Sequence, residues 1–177
     1  MTRSDLSPRV YVACLACYNA GKLHGEWFDA DSGLSDAVDA HFKDEDEDGG
    51  RLKCGGEELM VHDHEDFGGY NLGEASVPEA ERIGAFVEER GIPGALALSN
   101  FHGDVEQAAS AVEDSYRGAF KDAEDFAYQT YEEMGDLKSM GSLVSYIDWE
   151  RVGRDLMMGD FWSAEGEDGM LHVFSND

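Results

Sequence analysis

The opening stretch of the chain alternates apolar and polar positions with the period of a strand. In "RVYVACLACYNAGKLHGEWFDA", Val10, Val12, Cys14 and Ala16 fall on one side, and Tyr11, Ala13, Leu15 and Cys17 on the other. Asn19-Ala20-Gly21 supplies a turn, and a second strand carrying Trp27 and Phe28 completes a β-hairpin, with both rings expected in the core. The period then changes. Leu34, Val38 and Phe42 recur at helical spacing in "LSDAVDAHF", with Asp36 and Asp39 turned outward, and "EELMVHDHED" reads as a third strand. This β-β-α-β unit ends by the glycines at 68, 69 and 73.

A helical texture begins at Ser76. Ser76 and Glu79 have the spacing of a capping box, Pro78 suits a first turn, and Ile83, Phe86 and Val87 form an apolar stripe closed by Gly91 and Pro93. A second helix is predicted from Asp104 through Val112, with no strand in this middle segment. Gly118 interrupts the pattern in "DSYRGAF". "KDAEDFAYQTYEEMGDL" resumes it, with Asp122 as cap, Ala123, Phe126, Ala127 and Tyr131 as the buried stripe, and Asp125, Glu132 and Glu133 on the other faces. Leu143, Ile147, Val152 and Leu156 predict a further helix, and "GMLHVFSND" a closing strand. The fold class is α+β. Texture divides the chain into residues 1–72 (a three-stranded sheet plus a helix), 73–113 (a small helical domain) and 114–177 (a C-terminal α+β domain with short strands).

Composition supports packed cores. Hydrophobic residues make up 42% of the 177 positions, with 9 Phe, 7 Tyr and 3 Trp, which excludes a disordered acidic tail. No apolar run is long enough to span a bilayer, and "MTRSDLSPRV" lacks the apolar stretch of a signal peptide, so a cytoplasmic protein is expected.

Charge changes the picture more. The formal net charge is −26, with 21 acids and 8 bases in residues 1–103 and 18 and 5 in residues 104–177. The acid is therefore spread through folded segments. Like charges four apart on a helix cost about 0.2–0.5 kcal/mol per pair, against a total stability of about 5–15 kcal/mol. Such a composition points to a saline cytoplasm or to a partner that favours negative charge.

Candidate chemistry narrows little further. Asp44-Glu45-Asp46-Glu47-Asp48-Gly49 matches the first half of an EF-hand loop, but the eighth position is Arg51 and the twelfth, which should be a bidentate Glu, is Gly55. Cys14 and Cys17 have C-x-x-C spacing. On a strand they face opposite sides, Cys54 stands alone, and all three read as structural. His62 and His64 would share one strand face, which leaves a metal-binding module open as an alternative. P-loop, dinucleotide, nucleophile-elbow and H-E-x-x-H motifs are absent from the sequence, which predicts no catalytic residue, no cofactor and no resident metal. Direct nucleic-acid binding is disfavoured, because phosphates would be repelled.

"VYVACLACYNAGKLHGEWFDA" resembles the opening of the ArdA antirestriction proteins, with a strand, a Tyr-Asn turn, a Gly-Lys-Leu-x-Gly step and a Trp-Phe pair. "YIDWERVGRDL" at 146–156 resembles the family's C-terminal signature, "HVFSND" also fits, and "DFGGYNLGE" and "DAEDFAYQTYEE" fall between them in order. The resemblance implies a non-enzymatic DNA mimic, carried on mobile DNA, that occupies the DNA-binding groove of type I restriction-modification enzymes. It also implies three small domains in an elongated chain, and a homodimer joined through the C-terminal domain.

On that basis the expected partner-binding acids are Glu113, Asp114, Asp122, Glu124, Asp125, Glu132, Glu133 and Asp136, on the 122–136 helix and its approach. Glu113 with Arg117 and Lys121 with Asp125 are i,i+4 pairs with a structural alternative. Tyr146, Ile147 and Trp149 are the expected dimer contact, with packing in the C-terminal core as the alternative for Ile147. An acidic domain from a salt-adapted cell stays as the other alternative, supported by only 5 Lys against 8 Arg.

Overall fold

A computed structural model describes residues 6–43 and 58–176. The fold is α+β, and the chain divides into two compact units, Met1–Val105 and Glu106–Asp177.

In the first unit β1 (Arg9–Cys14) lies between β2 (Gly25–Asp29) and β3 (Leu59–Glu65), antiparallel to both. Val10 and Val12 are fully buried on the face that meets the helices, whereas Tyr11 and Trp27 pair on the other face with ring centres 5.7 Å apart. The hairpin pairing is as the alternation predicts, but the strand does not continue to Cys17. It stops at Cys14, and Leu15–Asn19 winds into a short helix, α1. The β-branched residues end at Val12, and Leu-Ala-Cys-Tyr-Asn has little to hold it extended. Cys14 and Cys17 thus sit across a strand-helix junction. Both are buried, and the Cys17 Sγ lies 3.8 Å from Nδ1 of His24. Trp27 and Phe28 are each half-buried; Phe28 faces α2 (Leu34–Lys43), edge-on to His41.

Leu34, Val38 and Phe42 of α2 are buried as their spacing predicts. The third strand carries a bulge. Tyr11 pairs with Asp63 and Val12 with Val61, so His62 is an extra residue, and His62 and His64 no longer share a face. The His62 ring lies 5.8 Å from Tyr18, while His64 packs edge-on to Phe67 and its Nε2 accepts the Leu72 N–H.

Helix α3 (Val77–Asn100) packs on α2 and the sheet, burying Ile83, Phe86 and Val87. Ser76 occupies the N-cap position without a side-chain cap bond, so the capping box does not form. Gly91 adopts φ 64° and ψ −153°, a conformation open only to glycine, and breaks the helix. The first helical segment closes there, as the sequence predicts. Pro93 starts a second segment, which buries Ala95, Ala97 and Leu98 and runs on to Asn100.

The second unit opens within α4 (Val105–Ser110), which continues into a π-helical turn, Ala111–Ser115, and then into β4 (Tyr116–Phe120), a strand that the sequence pattern missed. Gly118, at φ 134°, marks a register shift in that strand, and its glycine hides the alternation. Helix α5 (Ala123–Glu133) follows, then α6 (Asp136–Met140), a 3₁₀ turn (Gly141–Tyr146) and α7 (Trp149–Met157). The single helix expected over 143–156 is therefore corrected. Asp148 caps α7 by accepting the Arg151 N–H, which leaves Leu143 and Ile147 outside the helix.

Strands β5 (Phe161–Glu165), also missed, and β6 (Leu171–Ser175) complete a sheet of order β4-β6-β5. On the central strand Val173 and Phe174 are fully buried, and Trp162 stacks flat on Phe174 with centroids 4.0 Å apart. Burying a Phe or Val side chain contributes about 1.5–3 kcal/mol, so this central strand anchors the unit.

Candidate acidic interface

The sequence-predicted contact acids all lie in the Glu106–Asp177 unit, and α5 holds half of them, with Asp122 as its cap. Phe126 and Ala127 bury the inner face of that helix, while Tyr131 is half-buried against Trp149, at 5.9 Å. α7 packs along α5, and its Trp149 also meets Tyr128 edge-on at 5.4 Å. These contacts fix which side of α5 faces water.

At the N-terminal end the acids have local work. Asp122 is the N-cap, and its Oδ1 accepts the Asp125 N–H at 2.9 Å. Asp125 in turn accepts from the Gln129 amide at 2.9 Å and from the Lys121 N–H at 3.1 Å. The Gln129 and Lys121 hydrogen bonds stabilise the ionised form and hold the Asp125 carboxyl below its ordinary value. The Lys121 ammonium itself pairs with Asp122 at 3.7 Å. Glu124 in the first turn is exposed and favourably placed at the positive end of the helix dipole.

The C-terminal end is different. Glu132 and Glu133 are exposed in the last turn, which holds no basic residue. Acids there oppose the helix dipole at about 0.3–1 kcal/mol each. Neither forms an ion pair among the described residues. By contrast α7 carries Arg151 and Arg154, and Arg154 pairs with Glu150 at 3.3 Å. Helix α5 is thus an acidic face without internal neutralisation at its end.

The expected 122–136 helix is shorter than its pattern. Gly135 turns the chain at φ 80°, and exposed Asp136 begins α6. Exposed Glu113 and Asp114 lie in the π-helical turn before β4, not on α5. Arg117 donates to the Ser175 Oγ at 3.0 Å. Of the expected dimer residues, Tyr146 is 84% exposed, Ile147 is half-buried, and Trp149 is turned against α5. Leu143, 65% exposed in the same 3₁₀ turn as Tyr146, adds apolar surface beside it.

Among the described residues no three His, Cys, Asp or Glu side chains come together as a metal site. The acidic run at 44–48, the rest of the EF-hand register and Cys54 lie outside the described residues. No described helix is long and apolar enough to cross a membrane.

These features define an acidic α+β protein with a solvent-facing carboxylate surface. The family model described as antirestriction protein (ArdA) matches residues 10–167. The chain belongs to the ArdA antirestriction family, so its action is directed against DNA restriction, with a restriction-modification enzyme as target. No individual curated protein matches the sequence.

Proposed function

We propose that this protein is a non-enzymatic DNA mimic that occupies the DNA-binding groove of type I restriction-modification enzymes, in the methyltransferase core, and so blocks restriction of incoming DNA. The observation that carries this reading is the uncompensated acidic end of α5 in a chain of net charge −26. Acids placed against a helix dipole lower stability. Their presence is accounted for by a partner that supplies the missing positive charge.

Magnitudes are compatible. Duplex DNA carries one charge per about 1.7 Å of axis, so 26 charges correspond to roughly 44 Å of duplex. A two-fold dimer doubles this to about 88 Å, or roughly 26 base pairs. One helix does not suffice. The 11 residues of α5 span about 16 Å, over which duplex DNA carries roughly 10 charges. Four acids lie within α5 and Asp122 caps it, so Glu113, Asp114, Asp136 and acids on other elements must contribute to the field. A field of this kind steers encounter and speeds association.

Exposed Tyr146, with Ile147 beside it, is the proposed contact for a homodimer through the C-terminal unit. The protein acts in the cytoplasm, where the restriction enzyme meets incoming DNA. Displacement of a fluorescent duplex from a type I methyltransferase core, at low and physiological salt, tests the mimic reading. Stoichiometric displacement that weakens with salt is expected. Folded protein that displaces nothing from several such cores overturns it.

A further inference from the structure

Within the Glu106–Asp177 unit, an open cleft of about 810 Å³ is lined by residues of α5, β4, β5 and the end of α7. Half-buried Phe120, Tyr131 and Phe161 line its walls over buried Phe126. Phe126 stands edge-on to both Phe120 and Phe161, at 5.0 and 4.9 Å between centroids. Two exposed acids, Glu133 and Asp160, share this lining. Arg117 lines it too, with its guanidinium donating to the Ser175 Oγ. The cleft therefore carries two carboxylates and one guanidinium, which stays charged because the Ser175 hydroxyl it meets is neutral, so its net charge is −1.

We propose that this cleft seats an arginine side chain of the partner protein. The choice follows from the lining. Aromatic faces attract cations, and a guanidinium both stacks on rings and forks onto a carboxylate with two hydrogen bonds. A lysine ammonium is more strongly hydrated and has no flat face to stack. An anion entering here would meet Glu133, Asp160 and the field of the whole chain. A neutral apolar group would desolvate both carboxylates without pairing them. The cleft is in the size range of whole small-molecule sites, so one arginine side chain fills part of it and leaves room for its neighbours in the partner.

The proposal rests on the mimic reading for its partner, because a groove built to bind DNA presents arginines. It adds a fixed anchor to an interaction that charge alone would leave diffuse. A charge field responds to the total number of acids removed, whereas an anchor responds to which ones are removed.

The test uses the full chain and two charge-matched double variants: Glu133→Gln with Asp160→Asn at the cleft, and Glu165→Gln with Glu167→Gln on the β5–β6 hairpin. N-acetyl-arginine amide is titrated while the ring signals of Tyr131 and Phe161 are followed by NMR. Saturable shifts are expected, at least threefold tighter than with N-acetyl-lysine amide. The cleft variant should weaken binding at least fivefold, and the hairpin variant less than twofold. Unmoved rings, or equal weakening by both variants, overturns the proposal. Duplex displacement separates this from the broader reading. If the wild-type protein displaces duplex and both variants lose equally, the anchor is overturned and the mimic stands. If arginine amide binds but no duplex is displaced, the mimic is overturned and the cleft's selectivity is supported.

Discussion

Gly153 of α7 lies directly against the backbone carbonyl of Ala123, in the first turn of α5. A Cβ at Gly153 would overlap that carbonyl. The two helices therefore meet backbone to backbone at this point, and the acidic face of α5 is aimed by a residue with no side chain. Substitution Gly153→Ala forces the helices apart, and overpacking of this kind costs about 1–3 kcal/mol. Gly159→Ala, which meets nothing within 4 Å, should stay within about 0.5 kcal/mol of wild type. Thermal unfolding of the two variants followed by circular dichroism checks the contrast.

The Tyr116 hydroxyl lies 2.9 Å from Nδ1 of His172, whose Nε2 is 3.1 Å from Asp168. Burial, reinforced by the Asp168 charge, pushes the Tyr116 phenol up to about 12 from an ordinary 10.0. A raised value means that the folded state keeps its proton longer than the unfolded chain. The stabilisation is fully present below about pH 10 and is lost as pH rises towards about 12. Tyr70 is raised too, chiefly by burial, so absorbance titration at alkaline pH should show a late tyrosine component to which Tyr116 contributes, and Tyr116→Phe should reduce it. The variant also removes a partner from a 2% exposed histidine, at about 1–3 kcal/mol.

Asp125 moves in the opposite direction. Its carboxyl is lowered, first by the Gln129 hydrogen bond and then by the Lys121 N–H. Its stabilising contribution is therefore present above the ordinary aspartate value, and is lost as pH falls through the lower folded value. Gln129→Leu should move the Asp125 titration back towards the ordinary value, read by carbon NMR of the carboxyl.

Charge spread over many sites predicts a graded response. Neutralising Glu124 alone should weaken duplex displacement by about 0.2–1 kcal/mol, the scale of an exposed ion pair. Neutralising Glu113, Glu124, Glu132 and Asp136 together should cost about 1–4 kcal/mol. Displacement titrations at one fixed salt concentration measure both. A single variant as damaging as the fourfold one would contradict a distributed surface.

Stability against salt separates a mimic from a protein adapted to brine. The Debye length is about 30 Å at 0.01 M salt and about 3 Å at 1 M. This protein should stay folded by circular dichroism at the lower concentration. Unfolding there, reversed by molar salt, would favour the salt-adapted alternative.

Much of the architecture was legible from periodicity. The alternation about Val10 and Val12, the stripe Leu34-Val38-Phe42 and the Asp122 cap each use contacts within one element or its neighbour, and the structure keeps all three. The C-terminal strands were not legible. β4 is interrupted by Gly118, and β5 earns its place only by pairing with β6 and stacking Trp162 on Phe174. The bulge at His62 was equally hidden, because register is set by the partner strand.

By itself the sequence determined the charge, the α+β pattern, the buried stripe of α5 and the family signatures, since these depend on residue type and spacing. Tertiary structure decided which acids face water, where α5 stops, and how aromatic residues more than 30 positions apart in the chain come to line one cleft with Glu133 and Asp160. Those outcomes depend on packing between distant segments, such as Gly153 against Ala123, that no local period encodes.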